Sequence, residues 1–161
     1  CVGMLAAFTA CSDKNQDPTD TPSSVSSVVS VAPSSEGTLG KYDVSILGAR
    51  ISSEAEGKYN FFITVKVVNN GTEPITFQDT FNTMGYQDGS LLSAMETTKD
   101  TTFDPALLTQ EIAAGSELQV EVPFEMINQT SNVKFEISLL TSPENGKLVK
   151  EFALKSGTEK N

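Results

Sequence analysis

From residue 42 onward, apolar and polar positions alternate in short runs with a period of two. Tyr42-Asp43-Val44-Ser45-Ile46 alternates, and the phase shifts near Gly48, which predicts a bulged strand. Phe61, Ile63, Val65 and Val67 interleave with Phe62, Thr64, Lys66 and Val68, a strand with one wholly apolar face. Asn69-Asn70-Gly71-Thr72-Glu73-Pro74 predicts a turn, and Ile75 with Phe77 a short third strand. Leu118, Val120, Val122 and Phe124 oppose Glu117, Gln119, Glu121 and Glu125, just after the turn residues Ala113-Ala114-Gly115-Ser116. Val133, Phe135, Ile137 and Leu139 alternate with Lys134, Glu136 and Ser138. Asn145-Gly146 predicts a hairpin into Lys147–Leu154, whose inner face is Leu148, Phe152 and Leu154.

A helical period is missing, apart from Asp104-Pro105-Ala106-Leu107-Leu108. These residues predict a single turn capped by Asp104, with Pro105 at its first position. At least six short strands separated by turn signals predict an all-β fold, an antiparallel immunoglobulin-like β-sandwich over residues 41–157. The Cys…Trp…Cys core signature of immunoglobulin domains is absent, since the chain has no Trp.

The first forty residues read differently. Residues 12–40 are rich in Ser, Thr, Pro, Asp and Gly and hold no aromatic residue. Such a stretch buries too little surface to offset its ordering entropy, so residues 11–40 are expected to be a disordered linker. As a flexible coil it would span roughly 30 Å. Residues 1–10 read as the end of a secretory signal peptide: apolar and small residues give way at once to Ser12-Asp13-Lys14-Asn15-Gln16-Asp17. The basic n-region and initiator Met of a signal peptide are missing, which predicts a truncation upstream.

Phe8-Thr9-Ala10-Cys11 resembles the bacterial lipobox, with Phe8 where Leu is usual. That resemblance implies diacylglyceryl transfer to the Cys11 thiol and cleavage before it. Three other readings of these residues stand beside it: a buried segment over 2–10, acylation of Cys1, or a Cys1–Cys11 disulfide.

Composition narrows the chemistry further. Twenty-one acidic against 11 basic residues give a formal net charge of -10, which disfavours nucleic acid and anionic lipid as partners. The chain has no His, so Ser-His-Asp and Cys-His catalysis and most catalytic zinc sites are excluded within it. No apolar run is long enough to span a bilayer.

In layout, residues 39–155 resemble the small secreted immunoglobulin-like domains of uncharacterised Gram-positive bacterial lipoproteins. Those domains of unknown function are grouped near the mycobacterial MPT63-like secreted antigens. The features in common are Cys11, a Ser/Thr-rich stretch, the strand Phe61–Asn70 and a turn leading into the strand from Gly115 to Phe124. The resemblance implies a lipid-anchored location on the outer face of the cell membrane and a sandwich fold. It carries no catalytic residues.

The least regular stretch, Asp79 to Glu111, holds the candidate binding residues Phe81, Met84, Tyr86, Leu91, Met95 and Phe103. Aromatic and Met side chains among polar ones suit a partner-binding surface, and they equally suit completion of the core. Gln87-Asp88-Gly89-Ser90 predicts a hairpin within the stretch. Asp79, Asp88, Asp100 and Asp104 are the pool for carboxylate catalysis on a cell-surface polymer or for calcium binding. No spaced calcium loop is present, and Met84, Met95 and Met126 lack the Cys or His company of a copper site. Asn70-Gly71-Thr72 and Asn128-Gln129-Thr130 match the glycosylation sequon, an incidental match in a bacterial lipoprotein.

The expectation is therefore a non-catalytic binding module without cofactor or metal. It would be anchored to the membrane through Cys11 and face an extracellular protein or a cell-wall component. A carboxylate- or metal-dependent enzyme is the alternative.

Overall fold

The computed structural model describes residues 28–31, by their backbone, and residues 35–154 in full. Cys11 and the lipobox before it lie outside the described residues. Two antiparallel sheets face each other. Sheet 1 runs in the order β1 (Val28–Val31), β11 (Lys147–Leu154), β10 (Val133–Leu139), β6 (Phe81–Gln87) and β7 (Ser90–Leu91). Sheet 2 runs β2 (Glu36–Leu39), β3 (Tyr42–Ser53), β4 (Tyr59–Asn69) and β9 (Glu117–Glu125). A two-stranded ribbon, β5 (Ile75–Thr76) with β8 (Glu111–Ile112), two single-turn helices, α1 (Phe77–Thr80) and α2 (Ala106–Thr109), and two 3-10 turns at Ala55–Gly57 and Pro143–Asn145 complete the described residues.

The period-two pattern decides what lies between the sheets. Phe61, Ile63, Val65 and Val67 of β4 are fully buried, facing Phe135 and Ile137 of β10 and Phe152 of β11 across the core. Phe61 meets Phe152 edge-on with ring centroids 5.5 Å apart, and Phe124 meets Phe135 at 6.1 Å. Gly85 lets this happen on β6. A Cβ there would stand 3.1 Å from the Phe124 ring.

The bulge predicted near Gly48 is present as a register shift between Ile46 and Gly48 in the β3–β4 pairing. Its consequence reaches the surface. Before the bulge Val44 and Ile46 point inward; after it Ala49 and Ile51 pack on the core, opposite Ile63 and Phe61. Arg50 is thereby turned to the outer face of sheet 2, opposite Phe62. Without the extra residue it would point between the sheets.

Three local expectations change. The third strand ends at Thr76, and Phe77 opens α1, because the Thr76 hydroxyl accepts the Asp79 N–H at 3.2 Å and caps a helical turn. The sheets begin before Lys41: β1 and β2 both lie inside the stretch expected to be a linker. Val28-Val29-Ser30-Val31 is a β-branched run whose signal the surrounding Ser and Pro conceal. Finally, the inner face of β11 includes Lys150. It is 7% exposed, and its Nζ donates to the Ile46 carbonyl at 3.3 Å.

Candidate functional site

Two regions outside the main core are built from the stretch between β7 and β8. The first is a cover over the outer face of sheet 2. Phe62 points outward from β4 yet is fully buried, because Phe103 packs on it with centroids 5.4 Å apart. Arg50, the only arginine in the chain, lies over the Phe62 ring at 4.0 Å. Its guanidinium donates to both oxygens of Glu121, at 2.7 and 2.8 Å, and to Asp100 at 2.5 Å. The hydrogen bond from Thr102, then those from Arg50 and Ser52, hold the Asp100 carboxyl well below the usual carboxylate range despite opposing burial. The guanidinium is correspondingly held protonated, by its bonds to Glu121 first and to Asp100 next. Glu54 fastens the start of the same cover by accepting from Thr98, Asn60 and the Lys99 N–H.

The second region is an open groove of about 450 Å³ along one margin of the sandwich, between β6 and β9. Phe77 and Phe81, whose rings lie 5.3 Å apart, line it with Val122, Met95, Pro105 and Leu108. The chain crosses from one sheet to the other at its end. Leu92 N–H donates to the Gly85 carbonyl at 2.8 Å. Met95 N–H then donates to the Pro123 carbonyl at 3.1 Å, and Glu125 N–H to the Ser93 carbonyl at 2.9 Å. Pro123 sits on an edge strand with its missing N–H directed to that open margin, a position where proline breaks no ladder bond.

The backbone of β6 stays unpaired past this crossing. Leu140 N–H bonds the Thr80 carbonyl, so even-numbered peptide groups serve β10. Odd-numbered groups face the other way. Gly85 is taken by Leu92, and Phe81 N–H bonds Phe77. The Phe81 carbonyl and both backbone groups of Thr83 face the groove with no strand beside them among the described residues.

The six candidate binding residues fall in three places. Phe81 and Met95 line the groove, although Phe81 is only 4% exposed. Met84 and Tyr86 lie on the outer face of sheet 1, where the Tyr86 hydroxyl meets the Met84 sulfur at 3.0 Å and Lys134 stands 4.6 Å over the ring; Leu91 is exposed beside them at the end of β7. Phe103 is buried in the cover and offers no surface.

The four aspartates are likewise dispersed and individually engaged. Asp79 accepts from Thr76, and Asp88 from Asn128 and Ser131. Asp100 belongs to Arg50, and Asp104 caps α2 by accepting the Ala106 N–H at 3.0 Å. Among the described residues no group of three or more His, Cys, Asp or Glu could hold a metal ion. Nor is any helix among them long and apolar enough to cross a membrane.

Sequence reasoning passed over two organising amides. Gln87, 1% exposed, donates to the Asn128 and Ser131 carbonyls at 2.8 and 2.9 Å. It also accepts from Ile127 and Asn128 N–H, which fixes the loop between β9 and β10. Asn69 donates to the Glu73 and Ile112 carbonyls at 2.8 and 2.9 Å and ties the turn after β4 to β8. Each stands in the inward phase of its strand, and that polar residue in an apolar register was the available signal.

The architecture is thus an antiparallel β-sandwich with one outer face covered and one margin open. Residues 17–138 match the family model described as "Domain of unknown function (DUF5067)", and the chain belongs to that family. No curated protein sequence matches the chain. Solved structures share the fold at low identity. A "putative lipoprotein" from Staphylococcus aureus aligns with TM-score 0.57 and 13% identity over 78% of this chain and 92% of that one. A protein so described from Bacillus subtilis, ycdA, aligns with TM-score 0.55 and 13% identity over 78% of this chain. This chain spans only 40% of the Bacillus protein's length. An uncharacterised β-sandwich protein from Clostridium difficile aligns with TM-score 0.53 and 13% identity over 83% of this chain and 97% of that one.

Proposed function

We propose that the chain is a lipid-anchored protein of the outer bacterial cell surface whose sandwich is a non-catalytic binding module. In this reading Cys11 carries the anchor and the margin groove takes the partner, a protein or an envelope component. The observation that carries the reading is the groove's position. Sheet 1 begins at β1, the strand nearest Cys11 in sequence, and the groove lies beyond β6, on the opposite side of the sheet. Three strand spacings, roughly 14 Å, separate β1 from β6. The described chain therefore enters sheet 1 on the side away from the groove, which leaves the groove clear of the anchored end.

Two further facts support it. The groove is apolar at its base with polar groups at its rim, the usual make-up of a recognition site. The carboxylates available for catalysis are each used to hold a turn, a helix cap or Arg50. The lipoprotein description of the Staphylococcus and Bacillus neighbours agrees with an anchor.

The test has two parts. The intact mass of the membrane-extracted chain from a Gram-positive host should start at an acylated Cys11, and a Cys11→Ala chain should leave the membrane fraction. A photo-crosslinking residue at Leu108, in the groove, should give a discrete adduct on intact cells. The same residue at Lys147, in sheet 1, should not. An unmodified mass retaining residues 1–10 defeats the anchor, and equal labelling from both positions defeats the groove.

A further inference from the structure

The elements that line the groove come from a stretch with a one-sided charge. Between Val67 and Val133 the only basic residue is Lys99, while Asp79, Glu96, Asp104, Glu111 and Glu121 all fall within it. Glu96 lines the groove, Asp79 sits on α1, and Asp104 precedes Pro105 at its wall. The nearest competing cation on the α1 side is Lys41, which shares a neighbouring depression with Asp79. Within the same stretch Glu121 pairs with Arg50, Glu125 with Lys58 and Glu117 with Lys66, all away from the groove. Glu96 makes no ion pair among the described residues.

The groove therefore combines three features. It has an apolar base, one lining acid, Glu96, without an ion-pair partner among the described residues, and a bare strand edge at the Phe81 carbonyl and the Thr83 peptide groups. An apolar ligand alone would leave the edge and the charge unused. An anionic polymer would be repelled. An extended polypeptide satisfies all three, because its backbone pairs with an edge while alternate side chains point to opposite sides. We propose that this groove binds an extended, lysine- or arginine-bearing segment of a partner protein as an added strand on β6. Apolar side chains of the segment face Leu108 and Val122, and a cationic one meets Glu96. This rests on the groove being the binding site, as argued above, and adds the class of partner and the mode of recognition.

The test is a titration of the full, 15N-labelled chain with a capped decapeptide of alternating Lys and Val. Amide shifts should centre on Thr83, Gly85, Ala94 and Leu108. Binding should weaken by about ten-fold or more with a Glu/Val decapeptide, and equally with a fully N-methylated Lys/Val decapeptide, which keeps the charge but cannot pair with an edge. Thr83→Pro, which removes the edge N–H, should weaken it comparably. Should that variant fold poorly, Glu96→Lys leaves the backbone intact and should still weaken binding several-fold. Equal binding of the N-methylated peptide, shifts centred on another face, or no binding at millimolar peptide each overturns strand addition by a basic segment. A Leu108 crosslink that persists in that case leaves the groove standing as a binding site. Loss of both removes the reading beneath the proposal.

Discussion

The cover on sheet 2 and the groove at its margin are made by the same stretch of chain, and they end in opposite states. In the cover, Phe103 closes over Phe62 and the charges at its centre are paired: Arg50 takes Asp100 and Glu121, and Thr102 donates twice to Asp100. In the groove, Phe77 and Phe81 remain under an open mouth whose one lining acid, Glu96, has no ion-pair partner among the described residues. The apolar base is similar in the two. One arginine makes the difference. Where that cation stands among carboxylates, the loop folds down over Phe62; beside the groove the one lining acid, Glu96, has no ion-pair partner among the described residues.

The largest effect comes from removing the scaffold that both regions share. Val120 is 1% exposed on the inner face of β9. Val120→Asp buries an unpaired carboxylate, at a cost of several kcal/mol that rivals the whole stability of such a domain. Circular dichroism should show an unfolded spectrum at 25 °C and no cooperative melt on heating. An unchanged melting temperature would falsify the inward assignment of that strand.

The next pair sets cover against groove directly. Phe103→Ala should cost about 3 kcal/mol, since it uncovers Phe62 and loosens the seat of Arg50. Leu108→Ala trims a half-buried residue at an open wall and should cost about 1 kcal/mol or less. Urea midpoints of the two variants measure the contrast. Similar losses would mean that the groove is packed as tightly as the cover, and the distinction would collapse.

Much of this was legible in the sequence, and the parts that were not share a cause. The strands over 42–69, 117–125 and 133–154 show because one face of each is buried, which imposes a strict alternation. Asp88-Gly89 showed its turn as well, since both residues take positive φ, 52° and 77°. The six candidate binding residues could not be sorted, because Phe81 and Phe103 look alike in sequence. Phe81 lines the groove, while Phe103 packs on Phe62, the ring that Arg50 covers because a bulge at Gly48 turns it to the outer face. Pairing between residues 50 apart in sequence, as with Arg50 and Asp100, leaves no local mark. The β1 and β2 strands were hidden for a different reason: composition averaged over residues 12–40 outweighed two short β-competent runs.

Acid should weaken the cover. Arg50→Met leaves Asp100, whose side chain is 8% exposed, beside Glu121 without a cation. The loss should be about 2 kcal/mol at neutral pH, less than for a fully buried pair because the Arg50 side chain is itself 33% exposed. The folded Asp100 carboxyl has a lowered pKa. Its contribution is therefore complete above the unfolded value, near about 4, and is lost as pH falls below that toward the folded value. Urea midpoints at pH 7 and pH 3 should differ more for the native chain than for Arg50→Met. Equal pH sensitivity would show that Arg50 does not hold Asp100 in solution.

The smallest effect is the most discriminating for the groove. Glu96 is exposed and makes no ion pair or side-chain hydrogen bond among the described residues, so its charge does nothing evident for the fold. Glu96→Gln keeps its size and removes the charge. If rim acids serve only solubility, neither the melting temperature nor peptide binding should move. If they complement a basic segment, the melting temperature should stay while the Lys/Val peptide binds about two- to three-fold more weakly at low salt, the size expected for one exposed charge pair. That difference should shrink at high salt, where such pairs are screened. A fall in melting temperature would instead make Glu96 part of the fold, and the contrast between a cover closed on paired charges and a groove with a free acid would fail at that residue.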